Sequence, residues 1–282
     1  MSALLPKHIE AKLEQLKTSL REMSRIVIAL SGGVDSGLLL RVATEVCPGK
    51  VTSITAVSAS LSSEERSHAA LLAKRYQSMH IELETGELEQ EAYRLNMGNR
   101  CYFCRKALFD EASILVRAKA LGTLCYGAIM DDLQEDRPGM KAAEEYAVRA
   151  PLIEAGFTKE EIRLLARHYQ MSIWNKPAAP CLASRFPTGT EVTAARLAQV
   201  EQCERALAEL GLIQFRARYY VDTVRIELDP SGLARVNQDH SFLSAVKNCG
   251  LLAGFERVDI DPRGYRTGSV HQDGLLSVSE PS

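Results

Sequence analysis

The sequence predicts an α/β protein in which a domain with a parallel sheet is followed by a smaller α+β domain. Short apolar runs rich in β-branched residues alternate with amphipathic helical segments over residues 26–126, and this alternation is typical of parallel strands joined by crossover helices. A proline-containing segment interrupts the pattern at residues 176–190. The pattern restarts from Val192 as a helix followed by two strands of alternating polarity.

The first domain is expected to span residues 1–175. It begins with an amphipathic helix over residues 8–23, in which apolar side chains recur every three or four positions. The predicted strands are residues 26–30, 51–57, 79–83 and 122–126. Capping boxes at Ser62-Ser63-Glu64-Glu65 and Thr158-Lys159-Glu160-Glu161 predict the starts of two helices.

Residues 176–190 are interpreted as an ordered connecting loop, because prolines bracket a stretch without periodicity. The second domain is expected over residues 191–270. Its predicted elements are a long helix near residues 197–210, strands at 215–219 and 223–228, a helix at 241–249 and a strand at 256–260. The polar tail, residues 271–282, is expected to be flexible.

Composition limits the classes of function. The chain has 282 residues, of which 46% are hydrophobic, so it can bury a substantial core. Its formal net charge is −2, and the lack of a basic excess argues against nucleic acid as a main partner. No apolar run is long enough to cross a bilayer, which argues against a membrane protein. Seven cysteines without a signal sequence favour reduced thiols and a cytoplasmic location.

The most informative stretch is Ser31-Gly32-Gly33-Val34-Asp35-Ser36, which joins the first strand to a helical segment. A strand that turns through two glycines into a helix N-terminus exposes backbone N–H groups, which form an anion site together with the helix dipole. The Walker A lysine and the dinucleotide fingerprint are both absent. The stretch instead resembles the PP-loop of ATP pyrophosphatases, which holds the departing pyrophosphate. The alternative is a plain strand-to-helix turn with Asp35 or Ser36 as N-cap.

Three of the cysteines are candidates for chemistry. Cys101 and Cys104 form a Cys-x-x-Cys pair at the start of a predicted helix and are flanked by arginines, so they are expected to be reactive or to bind a metal. A redox pair, half a zinc site and two partly buried cysteines remain alternatives. Cys181 lies in the proline-containing loop, where core packing explains a cysteine poorly. The other cysteines lie in apolar elements and are interpreted as core residues: Cys47, Cys125, Cys203 and Cys249.

These motifs resemble those of the LarE family, the ATP-dependent sulfur-insertion enzymes of nickel-pincer cofactor biosynthesis. The resemblance runs over most of the chain and implies a PP-loop ATP pyrophosphatase domain with the adenine nucleotide alpha hydrolase-like fold. Beyond the PP-loop, the matching blocks are Asn99-Arg100-Cys101-Tyr102-Phe103-Cys104, Asp131-Asp132-Leu133 with Arg137-Pro138-Gly139, Pro151-Leu152 with Glu154-Ala155-Gly156, Cys181-Leu182-Ala183-Ser184-Arg185, Arg216-Ala217-Arg218, Arg225-Ile226-Glu227 and Gly264-Tyr265-Arg266-Thr267-Gly268-Ser269.

The resemblance implies a reaction in two steps. A carboxylate of pyridinium-3,5-biscarboxylic acid mononucleotide attacks the α-phosphate of ATP and releases pyrophosphate, and a sulfur nucleophile then displaces AMP to leave a thiocarboxylate. The residues expected to bind ATP, with Mg²⁺ as a helper, are Ser31, Gly32, Gly33, Asp35, Ser36 and Ser58. Those expected to bind the substrate are Arg185, Arg216, Arg218 and Arg225. For Arg216 and Arg218, the alternative is a solvated strand face.

The resemblance also bears on the sulfur source and on assembly. In one type of family member, the cysteine that matches Cys181 gives up its own sulfur and becomes dehydroalanine. In the other type, that cysteine and a Cys-x-x-Cys pair bind a [4Fe–4S] cluster. We favour the cluster type, because Cys101, Cys104 and Cys181 would leave one iron open for a sulfide of unknown origin. Hexamers are known in the family, so a homo-oligomer is expected.

One block departs from the family pattern. The family usually has His-His-Gly-Asp in the arginine-rich hairpin, whereas this chain has Tyr219-Tyr220-Val221-Asp222. Because valine does not easily take the positive φ that glycine allows, we expect the hairpin to bend differently.

Three other functions are weighed against this one. A [4Fe–4S]-dependent tRNA thiolase can share the PP-loop and three cysteines, but it needs a basic RNA-binding surface. An amidotransferase-type synthetase needs an ammonia-generating domain, which the sequence does not reveal. A non-catalytic nucleotide-binding carrier of metal or sulfur would bind ATP without releasing pyrophosphate.

Overall fold

The computed structural model describes residues 5–133 and 138–266. It divides the chain into two compact units, of which the first comprises Met1–Glu87 and Asn99–Ala179 and the second comprises Leu88–Gly98 and Pro180–Ser282. The predicted flexible tail and part of the Arg137-Pro138-Gly139 and Gly264–Ser269 blocks lie outside the described residues. Among the described helices, none has the length and apolar character needed to cross a membrane.

The strands of the first unit form one parallel sheet. They are β1 (Ile26–Ala29), β2 (Val51–Val57), β3 (Met79–Glu84) and β4 (Thr123–Tyr126). Their order in the sheet is β3-β2-β1-β4, and Ile26 of β1 pairs with Val51 on one side and with Thr123 on the other. The predicted parallel α/β fold is therefore confirmed, with strand bounds that differ from the predicted ones by at most one residue.

The helices account for most of the remaining regular structure. They are α1 (Lys7–Arg21), α2 (Val34–Val46), α3 (Ser63–Arg75), α4 (Glu91–Arg94), α5 (Arg100–Ala118), α6 (Pro138–Glu145), α7 (Pro151–Glu154), α8 (Lys159–His168), α9 (Ala194–Glu209), α10 (Pro230–Gln238) and α11 (His240–Leu252). Ser62 and Thr158 cap α3 and α8 as predicted, each accepting a hydrogen bond from the backbone three residues later. The reciprocal bond of a capping box is present in α8, where the Glu161 side chain accepts from the amide of Thr158.

Helices cover both faces of the parallel sheet. Side chains alternate along each strand, so apolar side chains point to both faces and both must be buried. Ile26 and Ile28 are fully buried in one apolar core, with residues of α1, α2 and α8. Val27 points to the opposite face, where it joins Phe109 of α5 and Tyr126 in a second core. The sheet is thus the middle layer of three.

The second unit contains a smaller mixed sheet. Its strands are β5 (Phe215–Tyr220), β6 (Thr223–Leu228) and β7 (Arg257–Ile260), in the order β5-β6-β7. β5 and β6 form an antiparallel hairpin, and β7 runs parallel to β6. The sequence did not predict α10, because its first residues, Pro230-Ser231-Gly232, are typical of a turn.

The segment Leu88–Gly98 belongs to the second unit although it is inserted within the sequence of the first. Asn96 Nδ2 donates to the carbonyl oxygen of Pro187 at 2.8 Å, and the amide of Val192 donates to the carbonyl oxygen of Arg94 at 2.8 Å. The sequence predicts this segment as part of the first domain, because contacts between distant parts of a chain leave no local pattern.

The β5–β6 hairpin turns through Val221 and Asp222. The expectation that valine would avoid a positive φ does not hold: Val221 adopts φ +57° and is 67% exposed. The strands on both sides keep a regular register, with Tyr220 opposite Thr223. A β-branched residue in the left-handed region is strained, so this turn costs stability.

We therefore expect Val221→Gly to raise the free energy of unfolding by about 1 kcal/mol, because glycine adopts this φ without steric cost. Urea denaturation monitored by circular dichroism measures the change. Gln77→Gly is the matched control, since Gln77 has φ +53° without a β-branched side chain, and its gain should be smaller. A lower stability of Val221→Gly than of the parent chain would contradict the strain.

Candidate active site

The PP-loop leaves the N-terminus of α2 without a side-chain cap. Gly33 is the N-cap, with φ −81° and ψ 168°, and none of the described side chains caps it. Asp35 and Ser36 lie inside the helix, so the alternative in which one of them is the N-cap is wrong. The backbone N–H groups of the first turn are therefore available to an anion, and the helix dipole favours negative charge there.

Two serines and a glycine fix the shape of the loop. Ser36 Oγ accepts a hydrogen bond from the amide of Ser31 at 3.2 Å, and the two hydroxyl oxygens are 3.1 Å apart. Gly32 has φ +79°, and a Cβ at this position would lie 2.8 Å from the carbonyl oxygen of Glu65. Only glycine fits there, both for its backbone conformation and for the space beside it.

A cavity of about 270 Å³ adjoins the PP-loop at the carboxyl ends of β1 and β4. Its polar and charged lining includes Ser31, Asp35, Ser36, Arg105 and Asp132, and Tyr126 also lines it. In parallel sheets, ligands collect at this edge. The structure thus brings three of the predicted ATP-binding residues to one cavity and adds two that the sequence had not assigned to it.

Arg105 is one of the two additions. Its guanidinium carbon lies 5.5 Å from the centre of the Tyr126 ring, and its Nη1 is buried without a hydrogen-bond partner among the described residues. A buried N–H donor without an acceptor is costly, so the arrangement favours an anion in the cavity. The sequence placed Arg105 only beside the Cys-x-x-Cys pair, because its proximity to the PP-loop depends on the packing of α5 against the sheet.

Asp35 carries the main electrostatic feature of the cavity. Burial raises the pKa of Asp35, whereas Lys159 opposes this rise with its Nζ at 2.7 and 2.8 Å from the two carboxylate oxygens. Asp132, the second added residue, lies close enough to raise the pKa of Asp35 further. The folded protein therefore holds two carboxylates and one ammonium at the edge of the cavity.

These carboxylates fit a magnesium ion that arrives with a nucleotide. Nowhere in residues 5–133 and 138–266 do three His, Cys, Asp or Glu side chains form a group that could hold a metal ion by themselves. Mg²⁺ needs no such group, because it keeps several waters and binds through one or two carboxylates together with phosphate oxygens. Asp35 and Asp132 can supply those carboxylates.

Ser58 lies apart from this arrangement. It follows β2 as predicted, but it does not line the cavity. Its hydroxyl oxygen lies 2.8 Å from Ser60 Oγ and accepts a hydrogen bond from the amide of Ser60. The turn after β2 uses the Ser58 hydroxyl locally, and ATP binding by Ser58 stays a prediction.

The cysteines divide by exposure in the way the sequence suggested. All seven lie within the described residues as free thiols. Cys101 is exposed and Cys104 and Cys181 are partly exposed, whereas the four expected core cysteines are buried. Burial raises the pKa of Cys125 to about 12, and it also raises that of Cys203. The buried thiols are therefore unreactive, and chemistry is left to the other three.

Cys181 lies in the second unit, where Arg185 holds its loop in place. Arg185 Nη1 donates to the carbonyl oxygen of Cys181 at 3.0 Å, while its Nε and Nη2 donate to Glu204 of α9 at 2.9 and 2.8 Å. The buried guanidinium of Arg185 is therefore hydrogen-bonded to other groups of the protein. The structure gives Arg185 a positioning function, and substrate binding by this residue stays a prediction.

The hairpin arginines are not on a solvated face. Arg216 and Arg218 are only 8% and 4% exposed, so the alternative in which they lie on a solvated strand face is wrong. Arg218 donates to Glu227 at 2.9 Å and to the carbonyl oxygen of Ser184, in the cysteine loop, at 3.1 Å. Burial lowers the pKa of Arg216, and the positive charge of Arg185 lowers it further. An anionic ligand beside Arg216 would offset both effects, because an opposite charge favours the charged form.

Arg225 has a different environment. It pairs with Arg218 across the hairpin, and its guanidinium lies 4.9 Å from the centre of the Tyr220 ring. It lines a separate groove of about 560 Å³ with Lys247 and Asp259. The structure therefore brings Arg185, Arg216 and Arg218 together near Cys181 and places Arg225 at a neighbouring groove.

The two loop glycines provide a test of the PP-loop geometry. We expect Gly32→Ala to lower the free energy of unfolding by about 2 kcal/mol or more, because the methyl group meets main-chain atoms at a positive φ. Gly33→Ala should change it by less than about 1 kcal/mol, since Gly33 has an ordinary φ and a Cβ there would meet only Ser31 Oγ, at 3.4 Å. Urea denaturation compares the two variants, and equal losses would contradict the geometry.

Comparison with known proteins identifies the family. The model of a PP-loop domain matches residues 5–136. The uncharacterized protein slr1717 of Synechocystis sp. is 38% identical over 264 residues, which cover 94% of this chain and 98% of that protein. The pyridinium-3,5-bisthiocarboxylic acid mononucleotide synthase of Lactiplantibacillus plantarum is 31% identical over 264 residues, 93% of this chain and 95% of the relative. The NH₃-dependent NAD⁺ synthetase of Wolinella succinogenes is 30% identical over 126 residues, 40% of this chain and 49% of its own length. The resemblance is confirmed at the level of the family: the chain belongs to the LarE family of PP-loop proteins.

Proposed function

We propose that this protein activates a carboxylate of a pyridinium mononucleotide with ATP and then replaces AMP by sulfur. The observation that carries the proposal is the uncapped N-terminus of α2, which adjoins a cavity containing the Arg105 guanidinium and the Asp35 carboxylate. Membership of the LarE family supports the choice of substrate, because a relative that matches this chain over nearly its whole length is named for the corresponding bisthiocarboxylic acid mononucleotide.

In the proposed first step, a carboxylate oxygen forms a bond to the α-phosphorus of ATP. The bond from that phosphorus to the bridging oxygen breaks, and pyrophosphate leaves with the electron pair. The amides of Gly32 and Gly33 and the hydroxyls of Ser31 and Ser36 would donate to the pyrophosphate, together with the buried Nη1 of Arg105. Donors held in this way would need little reorganisation when charge develops.

Asp35 and Asp132 would hold Mg²⁺, which neutralises phosphate charge when it is bound. Burial raises the pKa of Asp35, and Lys159 opposes this rise because its ammonium contacts both oxygens. Lys159 would therefore favour the ionised, metal-binding form of the acid.

The second step is assigned to residues of the second unit. Arg216 would bind the phosphate of the mononucleotide, since burial and the charge of Arg185 both disfavour its positive charge and an anion would offset them. Arg218 is oriented by its ion pair with Glu227, and it supports the cysteine loop through Ser184. A sulfur nucleophile would bond to the acyl carbon, and the carbon–oxygen bond to AMP would break. The AMP oxygen keeps the electron pair.

Two sources of the sulfur are consistent with the accessible thiols. If Cys181 is the nucleophile, a thioester forms, and removal of the Cα proton then breaks the Cβ–Sγ bond to leave a thiocarboxylate and dehydroalanine. We favour a [4Fe–4S] cluster held by Cys101, Cys104 and Cys181, because these are the three thiols of the chain that are not buried. Such a cluster would supply an open iron site for an added sulfide, so that the protein survives the reaction.

Release of pyrophosphate tests the proposed function. We expect the protein to release pyrophosphate from ATP with pyridinium-3,5-biscarboxylic acid mononucleotide and not with bulk tRNA or without an acceptor. Arg105→Gln should raise the KM for ATP at least about tenfold, because a charge-assisted bond to phosphate is lost. Release with tRNA would instead support a thiolase, and ATP binding without release under any condition would support a carrier.

A separate experiment decides the sulfur source. After anaerobic reconstitution with iron and sulfide, we expect a bound cluster that is lost in Cys101→Ser and in Cys181→Ser, and no change in protein mass after turnover. Iron analysis and intact-protein mass spectrometry measure both quantities. An iron-free protein in which each chain loses the mass of one H₂S at Cys181 and forms one thiocarboxylate would show the sacrificial route.

A further inference from the structure

Lys176 makes a set of contacts behind the PP-loop that the proposed chemistry does not use. Its Nζ lies 2.7 Å from one carboxylate oxygen of Glu65 and 2.8 Å from the other. The same nitrogen lies 2.7 Å from Nδ1 of His68 and donates to the carbonyl oxygen of Gly32 at 3.2 Å. The side chains of Lys176 and Glu65 are only 14% and 11% exposed. All four residues belong to the first unit.

These contacts use the full donor capacity of the ammonium group. An ammonium has three N–H donors and no acceptor, so the three partners Glu65, His68 and Gly32 match it. Glu65 offsets the cost of burying the charge. Lys176 therefore has no donor left for a ligand and must act through the residues that it contacts.

The carbonyl oxygen of Gly32 belongs to the same peptide group as the amide of Gly33. In a trans peptide, the C=O and N–H bonds point in opposite directions. A donor on the Gly32 oxygen therefore fixes the direction of the Gly33 N–H, at the N-cap of α2. Because glycines on both sides would allow this peptide to rotate, some interaction must select one orientation.

We propose that Lys176 is a positioning residue that holds the Gly32–Gly33 peptide in the orientation that binds pyrophosphate. The inference rests on the proposed function, since it assumes that the PP-loop binds the pyrophosphate part of ATP. Within the loop, the Gly33 amide makes only a long bond of 3.4 Å to Ser31 Oγ, which a phosphate oxygen can replace. The ammonium also polarises the peptide and makes the Gly33 N–H a stronger donor.

The main test removes the contact without changing the net charge behind the loop. In Glu65→Gln/Lys176→Met both charges are lost together, and such neutral replacements of a buried ion pair are usually tolerated. We expect its Kd for pyrophosphate to rise about tenfold, which corresponds to one hydrogen bond, while its Kd for AMP changes less than about twofold. AMP has no pyrophosphate part, so loss of the Lys176 contact should leave its binding unchanged. A general loss of structure would instead weaken the binding of both ligands.

Two further variants serve as controls. Glu65→Gln alone keeps the Lys176 contact to Gly32 and should bind pyrophosphate within about threefold of the parent chain. Glu65→Gln/Lys176→Gln retains a neutral donor for the Gly32 oxygen and should restore pyrophosphate binding to the same level. This second double variant carries the test if the methionine variant does not fold. Equilibrium dialysis with labelled pyrophosphate and AMP measures all the constants.

The outcomes separate the inference from the function on which it rests. Parent-like pyrophosphate binding by the methionine variant, equal losses for pyrophosphate and AMP, or a tenfold loss in the glutamine double variant would each overturn the role of Lys176. Failure of the parent chain to bind pyrophosphate or ATP would overturn the proposed function, and this inference with it.

Discussion

The first unit depends on a helix that begins without a side-chain cap. The first backbone N–H groups of a helix need acceptors. The N-cap of α2 is Gly33, which has no side chain to supply one. Keeping that end open constrains the surrounding chain. Gly32 must adopt a positive φ beside Glu65, and a Cβ at Gly127 would lie 2.7 Å from the amide of Ser36. The parallel sheet then places this end of the helix at the edge where ligands bind.

Both units stabilise an irregular loop by the same physical means. A buried cation forms an ion pair with a nearby carboxylate and gives another N–H to a main-chain carbonyl of the loop. Lys176 does this with Glu65 and the PP-loop, whereas Arg185 does it with Glu204 and the loop of Cys181. Arg218 repeats the arrangement with Glu227 and Ser184. Loops without ladder hydrogen bonds thereby gain a defined backbone, at the cost of burying a charged pair.

The parts of the fold that could be predicted from sequence are those with a local pattern. The β-branched runs, the capping boxes and the Ser-Gly-Gly turn each encode their structure within a few residues, and the burial of the four core cysteines followed from the apolar elements around them. Arg105 and Lys176 could not be assigned in this way. Their contacts involve residues that are distant in sequence, such as Tyr126 and Glu65, and only the packing of helices on the sheet brings these together.

The interleaved order of the two units has a consequence for biosynthesis. Leu88–Gly98 leaves the ribosome before residues 187–192, whose backbone groups bond to Arg94 and Asn96. The first unit can therefore complete its sheet before Leu88–Gly98 has its hydrogen-bond partners. The second unit can fold only after the later part of the chain has been synthesised. A cut between Ala179 and Pro180 would not separate the two units. It would leave part of the second attached to the first, with buried Tyr93 deprived of its surroundings.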